Sequence, residues 1–185
     1  IPTQAGLRFN GDIIEFCTEH LPRWVPVSIA GYNGADTGLT PDQELGSLFA
    51  NAVEYLDEIK LRGRIPLEVA ARGCGGVSFR ASIKIFEEAC KMRAARLMWS
   101  DLLKERYDIK DERVANLRIH CVTAGSKMAY QQPMNNLVRG ALMAVSAVLG
   151  GVQSLGVSGY DEALSIPSEH AHQMSVRIQQ ILMEE

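Results

Sequence analysis

The sequence predicts an α/β fold with a parallel sheet, built from four consecutive strand-loop-helix units. Three observations carry this. Short apolar, β-branched runs recur along the chain, each ending in a glycine-rich or polar loop. Long segments with apolar residues every three or four positions follow them. The connections are too long for hairpins, so successive strands pair in parallel through right-handed crossovers. Four such units leave two open sheet edges. At 185 residues the chain is shorter than the roughly 250 residues of a complete (β/α)8 barrel, so part of a barrel and a small open α/β sheet both remain open at this point.

The elements follow in order. Gly11 to His20 places Ile13, Ile14, Phe16 and Cys17 on one helical side before Pro22 ends the run. Val25 to Ala30 reads as the first strand, and Gly31 to Thr37 as its polar loop. Thr40 before Pro41 supplies an N-cap with proline at the first helical position, and Glu44 suits the helix dipole. Leu45, Leu48, Phe49, Ala52, Val53, Leu56 and Ile59 then form one buried stripe that ends near Gly63. Ile65 to Ala71 reads as a second strand running into Arg72-Gly73-Cys74-Gly75-Gly76, with a long helix from Ala81 to Tyr107. Val114 to Val122 reads as the third strand, ending at Thr123-Ala124-Gly125, with a helix over Asn135 to Leu149. Gly151 to Leu155 is a short fourth strand, Gly156 to Gly159 its loop, and Ser165 introduces a last helix from about Pro167 to Met183.

Composition narrows the function classes. With 46% hydrophobic and 22% charged residues the chain is that of a globular domain rather than a disordered or fibrous one. A net charge of −3 gives no clustered cationic excess for a polyanion, so neither nucleic acid nor an anionic membrane is an expected partner. The apolar stretch Ala141 to Val152 is too short to span a bilayer, and no secretory signal opens the sequence, so a cytoplasmic location is expected. The start at Ile1 suggests trimming or excision. Cys17, Cys74, Cys90 and Cys121 are far apart, with no C-x-x-C pair, and read as buried free thiols rather than a disulfide frame or zinc site.

In parallel α/β architectures ligands bind where the loops after the strands converge. That directs attention to four segments: Gly31 to Thr37, Arg72 to Ser78, His120 to Lys127, and Gly156 to Glu162. His120 ends a strand and can donate or accept near neutral pH, though a core histidine satisfied by backbone has the same appearance. Tyr32 and Asn33 offer a hydroxyl and an amide to a carbonyl or thioester, but are also ordinary turn residues. Arg72 to Gly76 resembles an anion-binding nest without a phosphate-loop signature. His170 and His172 point to different helix faces and do not make a metal site. Lys91, Arg93, Arg96, Lys104, Glu105 and Arg106 read as a wet helix face. No Ser/His/Asp set or paired carboxylates argue for hydrolysis.

Several blocks, in order, resemble the adenosylcobalamin-dependent acyl-CoA mutases, the methylmalonyl-CoA mutase family. They are Pro26-Val27-Ser28-Ile29-Ala30-Gly31-Tyr32; Glu88 to Trp99, reading EACKMRAARLMW; Leu117-Arg118-Ile119-His120; Gln131 to Asn136, reading QQPMNN; and Gln153-Ser154-Leu155 with Tyr160-Asp161-Glu162-Ala163-Leu164. The resemblance runs from about Asp12 to Gln180. It implies a (β/α)8 TIM-type barrel of which residues 1–185 form the C-terminal half, about four βα units, with the CoA ester threaded through the centre. It further implies adenosylcobalamin at the carboxyl ends of the strands, held mainly by a flavodoxin-like domain or subunit outside this chain, which has no Asp-x-His-x-x-Gly signature. The implied reaction is a radical 1,2-rearrangement of an acyl-CoA carbon skeleton, in which the cofactor does the chemistry and the protein orients and shields. The implied partners are an acyl-CoA, the cobalamin-binding domain or subunit, and further chains of a homo- or hetero-oligomer.

By position in that resemblance, Tyr32 lies against corrin and substrate, His120 lines the site near substrate or adenosyl, and Glu162 hydrogen-bonds the adenosyl ribose. Four departures fall in the site loops. Asn33 stands where the family has a His facing the thioester carbonyl, and Val122 where it has Gln. Gly156-Val157-Ser158 replaces His-Thr-Asn beside the cofactor, and the stretch from Arg72 to Ser78 replaces the Arg-Leu-Ser-Phe loop that helps bind CoA. An active mutase with a remodelled pocket fits these departures, and so does a silent subunit paired with an active chain. A small α/β binding module would instead be marked by a closed nucleotide pocket at Arg72 to Gly76. The chain alone is expected neither to turn over substrate nor to be stable without a partner or the missing strands.

Overall fold

The computed structural model describes residues 2–185. The chain runs α1 (Thr3–His20), β1 (Ile29–Ala30), α2 (Tyr32–Asp36), α3 (Pro41–Arg62), α4 (Leu67–Cys74), β2 (Gly76–Ala81), α5 (Ile85–Tyr107), α6 (Glu112–Ala115), β3 (Arg118–Thr123), α7 (Asn135–Leu149), β4 (Ser154–Gly156) and α8 (Glu169–Glu184). All strand pairs are parallel, in the order β1-β2-β3-β4. This is the mixed α/β architecture expected, and it matches part of a (β/α) barrel.

Helix starts and stops follow the sequence closely where capping chemistry is explicit. Thr40 and Gln43 form a reciprocal capping box at α3, Pro41 opens the helix, and Gly63 closes it in the left-handed conformation at φ 61°. Along α3, Leu45, Leu48, Phe49, Ala52, Leu56 and Ile59 are buried, as the periodicity predicts. Helix α3 packs on α5, α5 on α7 and α7 on α8, forming a layer outside the sheet. Trp99 of α5 is fully buried, stacks on Phe49 with centroids 6.4 Å apart, and donates from Nε1 to the Val114 carbonyl.

The second unit differs from expectation. Ile65 to Ala71 is not a strand: Leu67, Ala70, Ala71 and Cys74 recur at helical spacing, and the last three are buried on one face of α4. The strand is instead Gly76–Ala81, so the stretch from Arg72 to Ser78 is no loop, and no anion-binding nest forms there. Smaller shifts occur elsewhere. The first strand shortens to Ile29–Ala30, the loop after it contains α2, residues 112–115 form a helical turn before β3, and Ser168 rather than Ser165 caps α8.

Two further readings are corrected by burial. Cys17, Cys74 and Cys121 are buried, but Cys90 is exposed on the outer side of α5. Lys91 and Arg96 do not belong to a wet face. Arg96 reaches the carbonyls of Gly150 and Gly151 and ties α5 to the end of α7. Lys91 is almost wholly buried between Glu44 and Glu88, at 2.8 and 2.7 Å. Burial alone would lower the Lys91 pKa, but the carboxylates of Glu88 and Glu44 outweigh it and hold the ammonium above its ordinary range. Glu44 shifts upward because burial outweighs the attraction of Lys91.

Candidate functional site

Strands β2 and β3 alternate strictly, and the alternation sets up the site. On β2 the side chains of Val77, Phe79 and Ala81 are buried beneath the helices, and on β3 those of Ile119, Cys121 and Thr123. The register pairs Ala30 with Ser78, Ser78 with His120, His120 with Ser154 and Val122 with Gly156. The inner face, turned from the helices, therefore carries Ala30, Gly76, Ser78, Arg80, Arg118, His120, Val122, Ser154 and Gly156. Barrel interiors are normally filled by bulky branched residues. Here most of these positions are small or carry a hydroxyl, so the face leaves open space instead of a plug.

Three clefts follow one another along that face, from one end of the sheet to the other. At the amino ends of the strands a cleft of about 390 Å³ is lined by Trp24, Val25, Arg72, Arg118 and Arg23, among others. It shares Val25 and Arg118 with a mid-strand cleft of about 230 Å³ that includes Ser28, Gly76, Ser78, His120 and Ser154. That cleft in turn shares Ser78 and His120 with one of about 270 Å³ at the carboxyl ends, lined by Tyr32, Ser78, Phe79, Arg80, His120 and Val122. The five steps from Gly76 to Ala81 make the trough about 17 Å long.

The predicted residues separate along this trough. Tyr32, Ser78, His120 and Val122 come together at or toward the carboxyl end. His120 Nδ1 shares a 2.5 Å hydrogen bond with Ser154 Oγ, which fixes the ring along the inner face. Ser78 Oγ pairs with Ser28 Oγ at 3.0 Å. Asn33 lies exposed on α2 and is not among the residues lining the cleft. Ser158 is tied down, its amide donating to Thr123 Oγ1 and its hydroxyl to the Thr123 carbonyl, at 2.8 and 2.9 Å. Glu162 is exposed on the carboxyl rim, with its side chain against Gly125, where a Cβ would come within 2.9 Å of it. Arg72 is the clear correction. Because it sits on α4 before β2, it lies at the amino end of the sheet, opposite Tyr32, and its carbonyl accepts from Arg118.

Three features escaped the sequence reading. Arg80 occupies the inner face of β2, just beyond the stretch from Arg72 to Ser78 that reads as a loop. Trp24 is two-thirds exposed beside Arg72 and Arg118. Lys91, buried, donates to the Arg80 carbonyl at 3.2 Å. The alternation of Val77, Phe79 and Ala81 with Ser78 and Arg80 is the signal that could have revealed the first.

The comparisons agree with this architecture. The family model described as Methylmalonyl-CoA mutase matches residues 1–185. The 2-hydroxyisobutanoyl-CoA mutase large subunit of Aquincola tertiaricarbonis is 39% identical over 184 residues, covering 100% of this chain and 32% of its own length. Methylmalonyl-CoA mutase of Rhizobium meliloti (strain 1021) is 36% identical over 186 residues, covering 100% and 25%. The mitochondrial methylmalonyl-CoA mutase of Homo sapiens is 33% identical over 186 residues, covering 100% and 24%. The chain thus spans about a quarter to a third of the length of these relatives. An inner face of small residues on a parallel sheet and a match along the whole chain lead to one conclusion: the chain belongs to the methylmalonyl-CoA mutase family.

Proposed function

We propose that this chain is the C-terminal half of the barrel of an adenosylcobalamin-dependent acyl-CoA mutase, working with the missing strands and a cobalamin-binding domain or subunit in a cytoplasmic oligomer. The observation that carries this reading is the trough. An extended, narrow thioester needs a bore free of bulky side chains, and Ser28, Gly76, Ser78 and Ser154 provide one, with hydroxyls to meet polar groups along the way. At its amino mouth Arg72, Arg118 and Arg23 present cationic forks suited to phosphates, and exposed Trp24 offers a face to a purine. Arg72 is thereby a candidate for the CoA nucleotide end, and Ser78 for the chain that threads past it.

At the carboxyl mouth the residues fit the implied cofactor in kind. Tyr32 provides an aromatic surface above the trough, and the rim beside it is open, with Glu162 an exposed acceptor for a ribose hydroxyl. Adenosylcobalamin, when bound, supplies the radical chemistry of the rearrangement. This chain's share is to orient and shield. His120, held by Ser154, offers Nε2 to the acyl group, Tyr32 closes the trough above it, and Val122 keeps that wall apolar.

A second reading, a silent barrel that pairs with an active chain, is favoured by the positions of Asn33 and Ser158. The first is outside the cleft, and the second is held by Thr123. One experiment separates them. The protein in its natural assembly is titrated with adenosylcobalamin by visible absorbance, then mixed with acyl-CoA esters and followed by electron paramagnetic resonance. Radical formation abolished by His120→Ala in this chain supports the mutase. Radical formation indifferent to that change supports the silent subunit.

A further inference from the structure

We propose that Arg80 is a positioning residue that sets the Tyr32 ring over the carboxyl mouth, acting through a bracket with Asp36 and Ser126. The inference rests on the reading of that mouth as the reacting end, and it adds a residue with a definite task there.

The short helix α2 cannot hold Tyr32 by itself. It has five residues, none of them buried, and is followed by Gly38 in the positive-φ region at φ 102°. A single helical turn is not stable on its own, so something outside it must fix the ring. Tyr32 and Asp36 are four residues apart and so share one face of that turn. Arg80 touches both. Its guanidinium carbon lies 5.2 Å from the centroid of the Tyr32 ring, and its Nε lies 2.9 Å from Asp36 Oδ2. The ring therefore rests on a planar cation whose direction is set by the carboxylate at the other end of the same turn.

The bracket reaches further at each end. Ser126, in the 3-10 turn Gly125–Lys127 after β3, donates to Asp36 Oδ1 at 3.2 Å. Arg80 thus links the segments that follow β1 and β3 while itself lying near the end of β2. Behind the sheet, buried Lys91 holds the Arg80 carbonyl, and Glu44 Oε1 and the Phe79 ring crowd Gly31, where a Cβ would lie 2.9 Å from each. Only glycine lets the chain turn into α2 at that spot. The Arg80 backbone is thereby fixed by a buried charge and its head by an exposed one. A single ion pair still open to solvent on both sides contributes little to stability, which separates the bracket's function from folding: its loss should misplace Tyr32 without unfolding the protein.

The test uses the assembled enzyme with Arg80→Met, which keeps the stem and loses the fork, with Arg80→Lys and Asp36→Asn as companions, and with Tyr32→3-fluorotyrosine as a fluorine NMR reporter. The expected result is a kcat lowered about 10- to 100-fold in Arg80→Met, with KM moved less than about threefold. Partial recovery in Arg80→Lys, a weaker loss of the same sign in Asp36→Asn, and a shifted or broadened fluorine resonance in all three are also expected. Added to Tyr32→Ala, Arg80→Met should cost almost nothing further, because the two act as one unit. Additive losses, an unmoved fluorine resonance, or a rise in KM at constant kcat would overturn the proposal, the last by making Arg80 a direct substrate contact. If the unmodified assembly rearranges no acyl-CoA, the mutase reading fails, while the fluorine resonance still decides whether Arg80 holds the ring.

Discussion

The two faces of this sheet alternate residue by residue and obey opposite rules. The outer face, with Val77, Phe79, Ala81, Ile119 and Cys121, is packed under the helices and almost wholly buried. The inner face between them, with Gly76, Ser78, His120, Ser154 and Gly156, keeps its side chains small or polar. Adjacent residues on one strand therefore carry different burdens. Stability lies outside, and access for a ligand lies inside.

The contrast can be broken first at its most costly point. Phe79→Ala, fully buried, should lose about 3–5 kcal/mol in denaturant unfolding of the assembled protein. Its neighbour Ser78→Ala should stay within about 0.5 kcal/mol. A comparable cost is expected from Lys91→Met. It strands Glu44 and Glu88 in the core without their cation, at about 3–5 kcal/mol.

Glu44→Gln should be much milder and should change the pH dependence. Burial raises the Glu44 carboxyl above its ordinary 4.5, so its stabilising contribution is full below that value and lost as pH rises through the folded-state value. The variant should flatten the stability profile on the alkaline side of 4.5, where the raised Glu44 carboxyl titrates in the folded state. The smallest effect is a matter of access. Cys90 should react with a thiol reagent in the native protein. Cys74 and Cys121, whose thiols burial pushes up to about 12, should react only after unfolding.

What could be read from the sequence follows the same division. Helix α3 was legible because its buried stripe repeats at three and four residues, and Thr40, Pro41 and Gly63 mark its ends; α5 was legible in extent, but Phe86 and Leu97, which read as part of its apolar pattern, are exposed, and Trp99 and Leu103 are buried instead. Strand β2 was not legible. Its inner positions are Gly76, Ser78 and Arg80, so the run lacks the apolar density of a strand and reads as a loop, while the more apolar Ile65 to Ala71 reads as the strand in its place. The need for an open bore erased the signal of the element that forms it. Tyr32, His120 and Glu162 were placed at the carboxyl end by resemblance, and the fold brings Tyr32 and His120 to one cleft. Arg72 went to the wrong end because that misassigned strand reversed the order of strand and loop. Lys91 could not be told from a surface lysine, since its partner Glu44 lies 47 residues away.

The central claim is that the inner face is a passage for an acyl-CoA, and the KM for acyl-CoA of the assembled enzyme carrying Ser78→Leu tests it most directly. A branched side chain at the middle of the trough should raise KM at least about tenfold, equivalent to ~1.4 kcal/mol of binding, with thermal stability unchanged. An unaltered KM, with Leu accommodated at that position, would mean that the ligand does not pass along this face.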